Sequence, residues 1–160
     1  MAITDFEKAK SFILNSDLTP VVDRLIKIEK WAPDEAHEAV EQYRRYLILR
    51  KKYPKSNLPP SKDIDEAWHA HILHTKDYRD FCKKVFADED GQYLDHHPHI
   101  AKEGSMERLN ILFEKTQELY RAEFDTYIYK VKTNTIFGRM LRIIRNFLVS
   151  AFPTLEEATS

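Results

Sequence analysis

Apolar side chains recur about every three or four residues along most of the chain, which is the spacing of helices with one buried face. Residues that commonly begin or end helices separate these stretches. Pro54 disfavours helical geometry just before it, so one helix should end near Tyr53. In the last long helix, which begins near Ser105, the stripe of apolar residues continues to Val131. The predicted helices begin near Thr4, Asp17 or Thr19, Pro33, Ser61, Thr75 and Ser105.

The composition agrees with a helical protein. Glycine is scarce, with 3 residues among 160, while 42% of the residues are hydrophobic and 32% are charged. We predict an all-α fold, a compact irregular bundle of about six to seven helices around a histidine-rich centre. Residues 1–134 would form the helical domain, and residues 135–160 a basic amphipathic helix and tail packed on it.

Charge and cysteine content exclude several classes of protein. A formal net charge of −1 gives no overall basic field for nucleic acid. The single cysteine, Cys82, excludes a disulfide framework and favours a reducing compartment. The N-terminal residues lack the pattern of a signal peptide, and no stretch of about 18 apolar residues predicts a membrane span. We therefore expect a cytoplasmic protein.

Histidines cluster in one part of the chain. Six of the seven fall between His69 and His99, and only His37 lies elsewhere. Imidazole is the commonest side chain that binds metal ions in proteins, so several close together indicate a transition-metal site. The competing interpretation is that these are ordinary hydrogen-bonded core and loop histidines. For His37 we expect a surface position.

Helical geometry divides the candidate metal ligands into two sets. Asp65 and His69 are four residues apart and share a face of the helix predicted from Ser61, where His96 could complete a site. His71 points roughly 160° away from His69, so both cannot bind one ion on a regular helix.

The second set therefore starts from the other face. His71 and His74 lie there, and Cys82 or His97 could complete a site with them. Imidazole and carboxylate ligands make zinc the first expectation for either site, with iron or copper as alternatives. An incomplete ligand shell would leave a position for water, as in catalytic zinc sites.

The candidate ligands belong to a longer pattern formed by Asp65, Trp68, His69, His71, Tyr78 and Cys82, followed by Leu94 and His96. In this pattern the chain resembles a known but uncharacterised family, which includes the N-terminal domain of plant glycine-rich-domain proteins and short stand-alone bacterial proteins. The resemblance covers about residues 36–100. It implies that the positions to examine are Asp65, Trp68, His69, His71, Tyr78 and His96.

Three alternatives to a metal site stay open. Asp65 and His69 could act as an acid–base pair without metal. Cys82 could be a nucleophile with a nearby histidine as its base, although its helical position is typical of a core residue. Lastly, residues 135–152 carry apolar stripes and three arginines, so the chain could be an interaction module that contacts a partner or an anionic membrane surface.

Overall fold

The computed structural model describes residues 2–87, 94 and 106–132, and the secondary structure in these ranges is entirely helical. This confirms the predicted all-α bundle. The predicted helix at 135–152 and the division at residue 134 lie outside the described residues. No described helix combines the length and apolar character needed to cross a bilayer. The helices are α1 (Phe6–Asn15), α2 (Thr19–Lys27), α3 (Pro33–Lys52), α4 (Lys62–Leu73), α5 (Thr75–Val85) and α6 (Met106–Phe124).

Helix α3 lies at the centre of the bundle. It packs against α1, α2, α4 and α6, while α4 also contacts α2 and α5. Tyr43, Tyr46 and Leu47 on α3 are almost completely buried, and each such side chain contributes about 1.5–3 kcal/mol through the hydrophobic effect. The helix begins with Pro33 and ends at Lys52, with Tyr53 as its C-cap, which agrees with the predicted end near Tyr53.

A buried arginine joins α3 to the end of α1. The guanidinium of Arg44 donates hydrogen bonds to the main-chain carbonyls of Ile13 and Ser16, the second over 3.0 Å. Carbonyls at a helix C-terminus have no partner within the helix and carry partial negative charge. The cation therefore satisfies them and fixes the position of α1 against α3.

The start signals of the helices were predicted with mixed success. Ser61 caps α4 by accepting from the amide of Ile64, as expected. The prediction for α1 is wrong by one residue, because the carboxylate of Asp5 forms the cap where Thr4 was expected. At α5 the cap position belongs to His74, so Thr75 is the first helical residue. These shifts leave the order of the helices unchanged.

Helix α6 ends earlier than its apolar stripe predicts. It stops at Phe124, and Asp125 follows in the left-handed region with φ of 52°. Residues 126–132, here called the C-terminal strap, are not helical. The side-chain amide of Gln117 accepts from the N–H of Ile128 and donates to its carbonyl, both over 2.8 Å. Ile128 is thus buried although the segment that contains it is not helical.

The end of the strap is held by a buried carboxylate on α4. Asp63 accepts hydrogen bonds from the main-chain N–H groups of Val131 and Lys132, at 2.5 and 3.2 Å. The ammonium of Lys132 lies 3.2 Å from a carboxylate oxygen of Glu66 and above the ring of Trp31. The strap therefore crosses α4 near its N-terminus and leaves the far half of α4 available for the histidine-bearing site.

Candidate metal site on helix α4

Helix α4 places its histidines on opposite faces. His69 lies on the exposed side, with 51% of its side chain accessible to solvent. His71 lies on the buried side and is only 3% exposed. The expectation that these two histidines cannot share one ion is therefore consistent with the observed helix. Each face has to be described separately.

On the exposed face, Asp65 holds the ring of His69. The Nδ1 atom of His69 lies 2.8 Å from the main-chain carbonyl oxygen of Asp65 and 3.4 Å from a carboxylate oxygen of the same residue. Because a carbonyl can only accept, Nδ1 carries the hydrogen in this bond. This fixes the tautomer and makes Nε2 the ring nitrogen that a metal would take, the usual arrangement for a metal-binding histidine.

On the buried face, His71 is surrounded by aromatic rings. Its Nδ1 lies 3.0 Å from the hydroxyl oxygen of Tyr43, and the imidazole meets the rings of Tyr43, Tyr78 and Phe81 edge-on, with centroids 5.8, 5.0 and 5.3 Å away. Burial, assisted by the nearby His74, lowers the pKa of His71 from 6.5 to about 4. The ring is therefore neutral near neutral pH and has the environment of a core histidine.

A chain of hydrogen bonds connects α4 to the segment that follows α5. The indole N–H of Trp68 donates to the hydroxyl oxygen of Tyr78 over 2.9 Å, and that hydroxyl donates to the main-chain carbonyl of Leu94 over 2.6 Å. All three residues are buried. Buried indole and phenol groups need polar partners, and here they satisfy each other and fix the backbone at Leu94.

The remaining candidates are placed as follows. Cys82 is fully buried on α5, which gives no support to its role as a nucleophile. In the described ranges, no three His, Cys, Asp or Glu side chains form a group that could hold a metal ion. The set of His71, His74 and Cys82 is therefore not assembled, while the completions by His96 and by His97 lie outside the described residues.

The comparisons with known proteins can now be set beside this geometry. Residues 8–111 match the family described as UCP032817-like. The chain belongs to this family. Glycine-rich domain-containing protein 1 of Arabidopsis thaliana is 31% identical over 97 residues, which are 58% of this chain and 11% of that protein. The chain thus spans about a tenth of this relative. No solved structure matches the chain.

These matches confirm the predicted membership of an uncharacterised family with plant glycine-rich-domain relatives. The UCP032817-like range includes every candidate metal ligand, from Asp65 to His97. Sequence reasoning also placed His37 correctly at the surface. It missed Tyr43 as the partner of His71, because a tyrosine within an apolar stripe gives no sign of where its hydroxyl points.

Proposed function

We propose that the UCP032817-like domain of this chain binds a divalent transition metal, with zinc as the first candidate and iron or copper as alternatives. His69 would supply the central ligand, Asp65 would orient it, and His96 would complete the site. The observation that carries this proposal is the paired geometry of Asp65 and His69 on the exposed face of α4.

The pairing supports metal binding because it does two things that a metal ligand requires. It selects the tautomer in which Nε2 has a lone pair, and it restricts rotation of the ring. An imidazole oriented by a carboxylate in this way is a ligand suited to zinc, and also to iron and copper. A surface histidine without such a partner loses more side-chain entropy when it binds an ion.

The bonds of Tyr78 supply the second support. The hydroxyl of Tyr78 fixes the carbonyl of Leu94 and is itself bonded to Trp68, the residue next to His69. His96 and His97 stand two and three residues after Leu94 in the sequence. Trp68 and Tyr78 belong to the pattern that resembles the family. Through the carbonyl of Leu94 they would anchor the segment that contains His96 and His97.

The second form of this proposal places an ion at His71, His74 and His97.

A shell of two or three protein ligands leaves a position for water. The catalytic form of the proposal is therefore a metal-dependent enzyme that acts on a small molecule or protein. We also propose that the chain works in the cytoplasm, because its single cysteine is a free thiol and proteins without disulfides are typical of reducing compartments.

The test is elemental analysis of the untagged chain, followed by thermal melting with zinc, iron(II) or copper(II). An ion that binds the native state raises the melting temperature. His69→Ala should abolish the shift, whereas His37→Ala, which removes an exposed histidine on α3, should not change it. Less than about 0.2 ion per chain, with no thermal shift from any of the three ions, would reject the proposal. Loss of binding in His74→Ala but not in His69→Ala would favour the second form.

A further inference from the structure

A cleft lies on the side of α4 that carries His71 and His74, away from the exposed His69. Its volume is about 590 Å³, and it is bounded by α1 and the start of α2 on one side and by the end of α4 and α5 on the other. Sites for small organic molecules usually measure about 300–1,000 Å³. A smaller cavity adjoins it, and the side chain of His74 lines both. The cleft is therefore large enough for a compact ligand.

One part of the cleft wall is apolar and aromatic. The rings of Phe12 and Phe81 lie with their centroids 5.9 Å apart and their planes tilted by 34°. Val21, which is 1% exposed, extends this surface from α2. Aromatic and aliphatic walls of this kind favour a ligand with an apolar or aromatic body.

The junction between α4 and α5 supplies a polar atom in need of a partner. His74 separates the two helices, and its main-chain N–H and carbonyl are used in bonds to His71 and Tyr78. Its side-chain Nε2 is shielded from solvent and has no hydrogen-bond partner among the described residues. Burying such a group without a partner is unfavourable, so a ligand that hydrogen-bonds it gains affinity.

The charges around the cleft favour a cation. The described residues that line it include three carboxylates, those of Asp17, Asp77 and Asp80, and one ammonium, that of Lys84. Asp80 is paired with Lys76 over 2.8 Å, and Lys84 is placed over an aromatic ring of the cleft wall at 4.5 Å.

The other two carboxylates, of Asp17 and Asp77, are exposed at the edge of the cleft. Hydrogen bonds from Thr19, first from its side chain and second from its main-chain amide, lower the pKa of Asp17, which keeps this group charged. Asp77 lies in the first turn of α5 and is exposed. Two carboxylates at the mouth of an apolar cleft repel anions and attract ammonium or amidinium groups.

We propose that this cleft binds a small organic cation, an amine or amidine attached to an apolar or aromatic body. The body would lie against Phe12 and Phe81, the charged group would face Asp17 and Asp77, and a polar atom would bond to His74. This proposal does not depend on the metal site at Asp65 and His69, which are not part of the cleft, whereas His71 and His74 of the second form of that proposal line it.

The experiment uses three probes of nearly equal size and different charge, namely benzylamine, benzyl alcohol and benzoate. Amide and side-chain NMR shifts of the full chain are followed as each probe is added to about 10 mM. Benzylamine should give saturable shifts at His74, Asp77 and Phe81, with a dissociation constant in the millimolar range, as expected for so small a ligand. Benzoate should give none, and benzyl alcohol should bind at least about fivefold more weakly than benzylamine.

Two variants separate charge recognition from general binding. Asp77→Asn should weaken benzylamine binding by about fivefold, whereas Glu107→Gln, which removes an exposed acid on α6, should leave it unchanged. Equal binding of all three probes would show an apolar cavity without charge recognition and would overturn the proposal. No saturable shift with benzylamine, or unchanged binding in Asp77→Asn, would overturn it as well.

Discussion

Acidification should destabilise this fold through His71. Burial, with the additional effect of His74, lowers the pKa of His71 to about 4, against 6.5 for an exposed imidazole. The unfolded chain therefore takes up a proton at this residue well before the folded chain does. The stability that neutral His71 provides is complete above pH 6.5 and is lost as the pH falls from there through the folded pKa.

The size of the effect follows from the difference between the two pKa values. Each unit is worth about 1.36 kcal/mol, so the full difference corresponds to about 3 kcal/mol. At about pH 5 the folded residue is still mostly neutral while the unfolded one is almost fully charged, and the loss should be about 2 kcal/mol. This is a large fraction of the stability of an ordinary domain.

The assay is urea unfolding at about pH 7.5 and about pH 5, with a chelator present, on the original chain and on His71→Gln. Glutamine can still bond to the hydroxyl of Tyr43 but does not titrate, so the original chain should lose about 2 kcal/mol more than the variant. His37→Gln, an exposed control, should behave like the original chain. The reasoning is refuted if His71→Gln loses as much stability on acidification, or if NMR shows His71 titrating near 6.5.

Two further substitutions and one labelling experiment test other contacts in the structure. Tyr78→Phe leaves the buried indole N–H of Trp68 without its acceptor and should cost about 1–3 kcal/mol in urea unfolding; a cost near zero would mean that the hydrogen-bond chain is not formed. Asp63→Asn removes the negative charge that accepts from the strap and should speed amide hydrogen exchange at Val131 by about tenfold, and unchanged exchange would contradict the described contact. Cys82 should react with iodoacetamide at least about tenfold more slowly in the native chain than in urea, and equal rates would show that its thiol is accessible.

Local sequence determined most of the helix boundaries. Pro33 opens α3 because its fixed φ suits a first helical turn, and the residue before Pro54 ends it because helical geometry is disfavoured there. Ser61 caps α4 through its own side chain. Each of these effects acts over a few residues, so it can be predicted without knowing the fold.

Sequence spacing also determined that His69 and His71 point in different directions, because that follows from the helical repeat alone. It did not determine which side chains of the neighbouring helices would surround His71. That was decided by the packing of α4 against α3 and α5, which encloses His71 among aromatic rings and leaves His69 beside Asp65 at the surface. The same residue type thus acquires two environments from tertiary contacts.

The tertiary structure alone decided where the last described helix ends and which partners the aromatic residues Trp68 and Tyr78 take. The stripe from Phe124 to Val131 has helical spacing, yet Gln117 and Asp63 bind the backbone of this segment in a non-helical form. Trp68 and Tyr78 likewise take their roles from partners 10 and 16 residues away along the chain. Hydrogen bonds between residues far apart in sequence compete with local preference, and a pattern read along one segment contains no information about its distant partners.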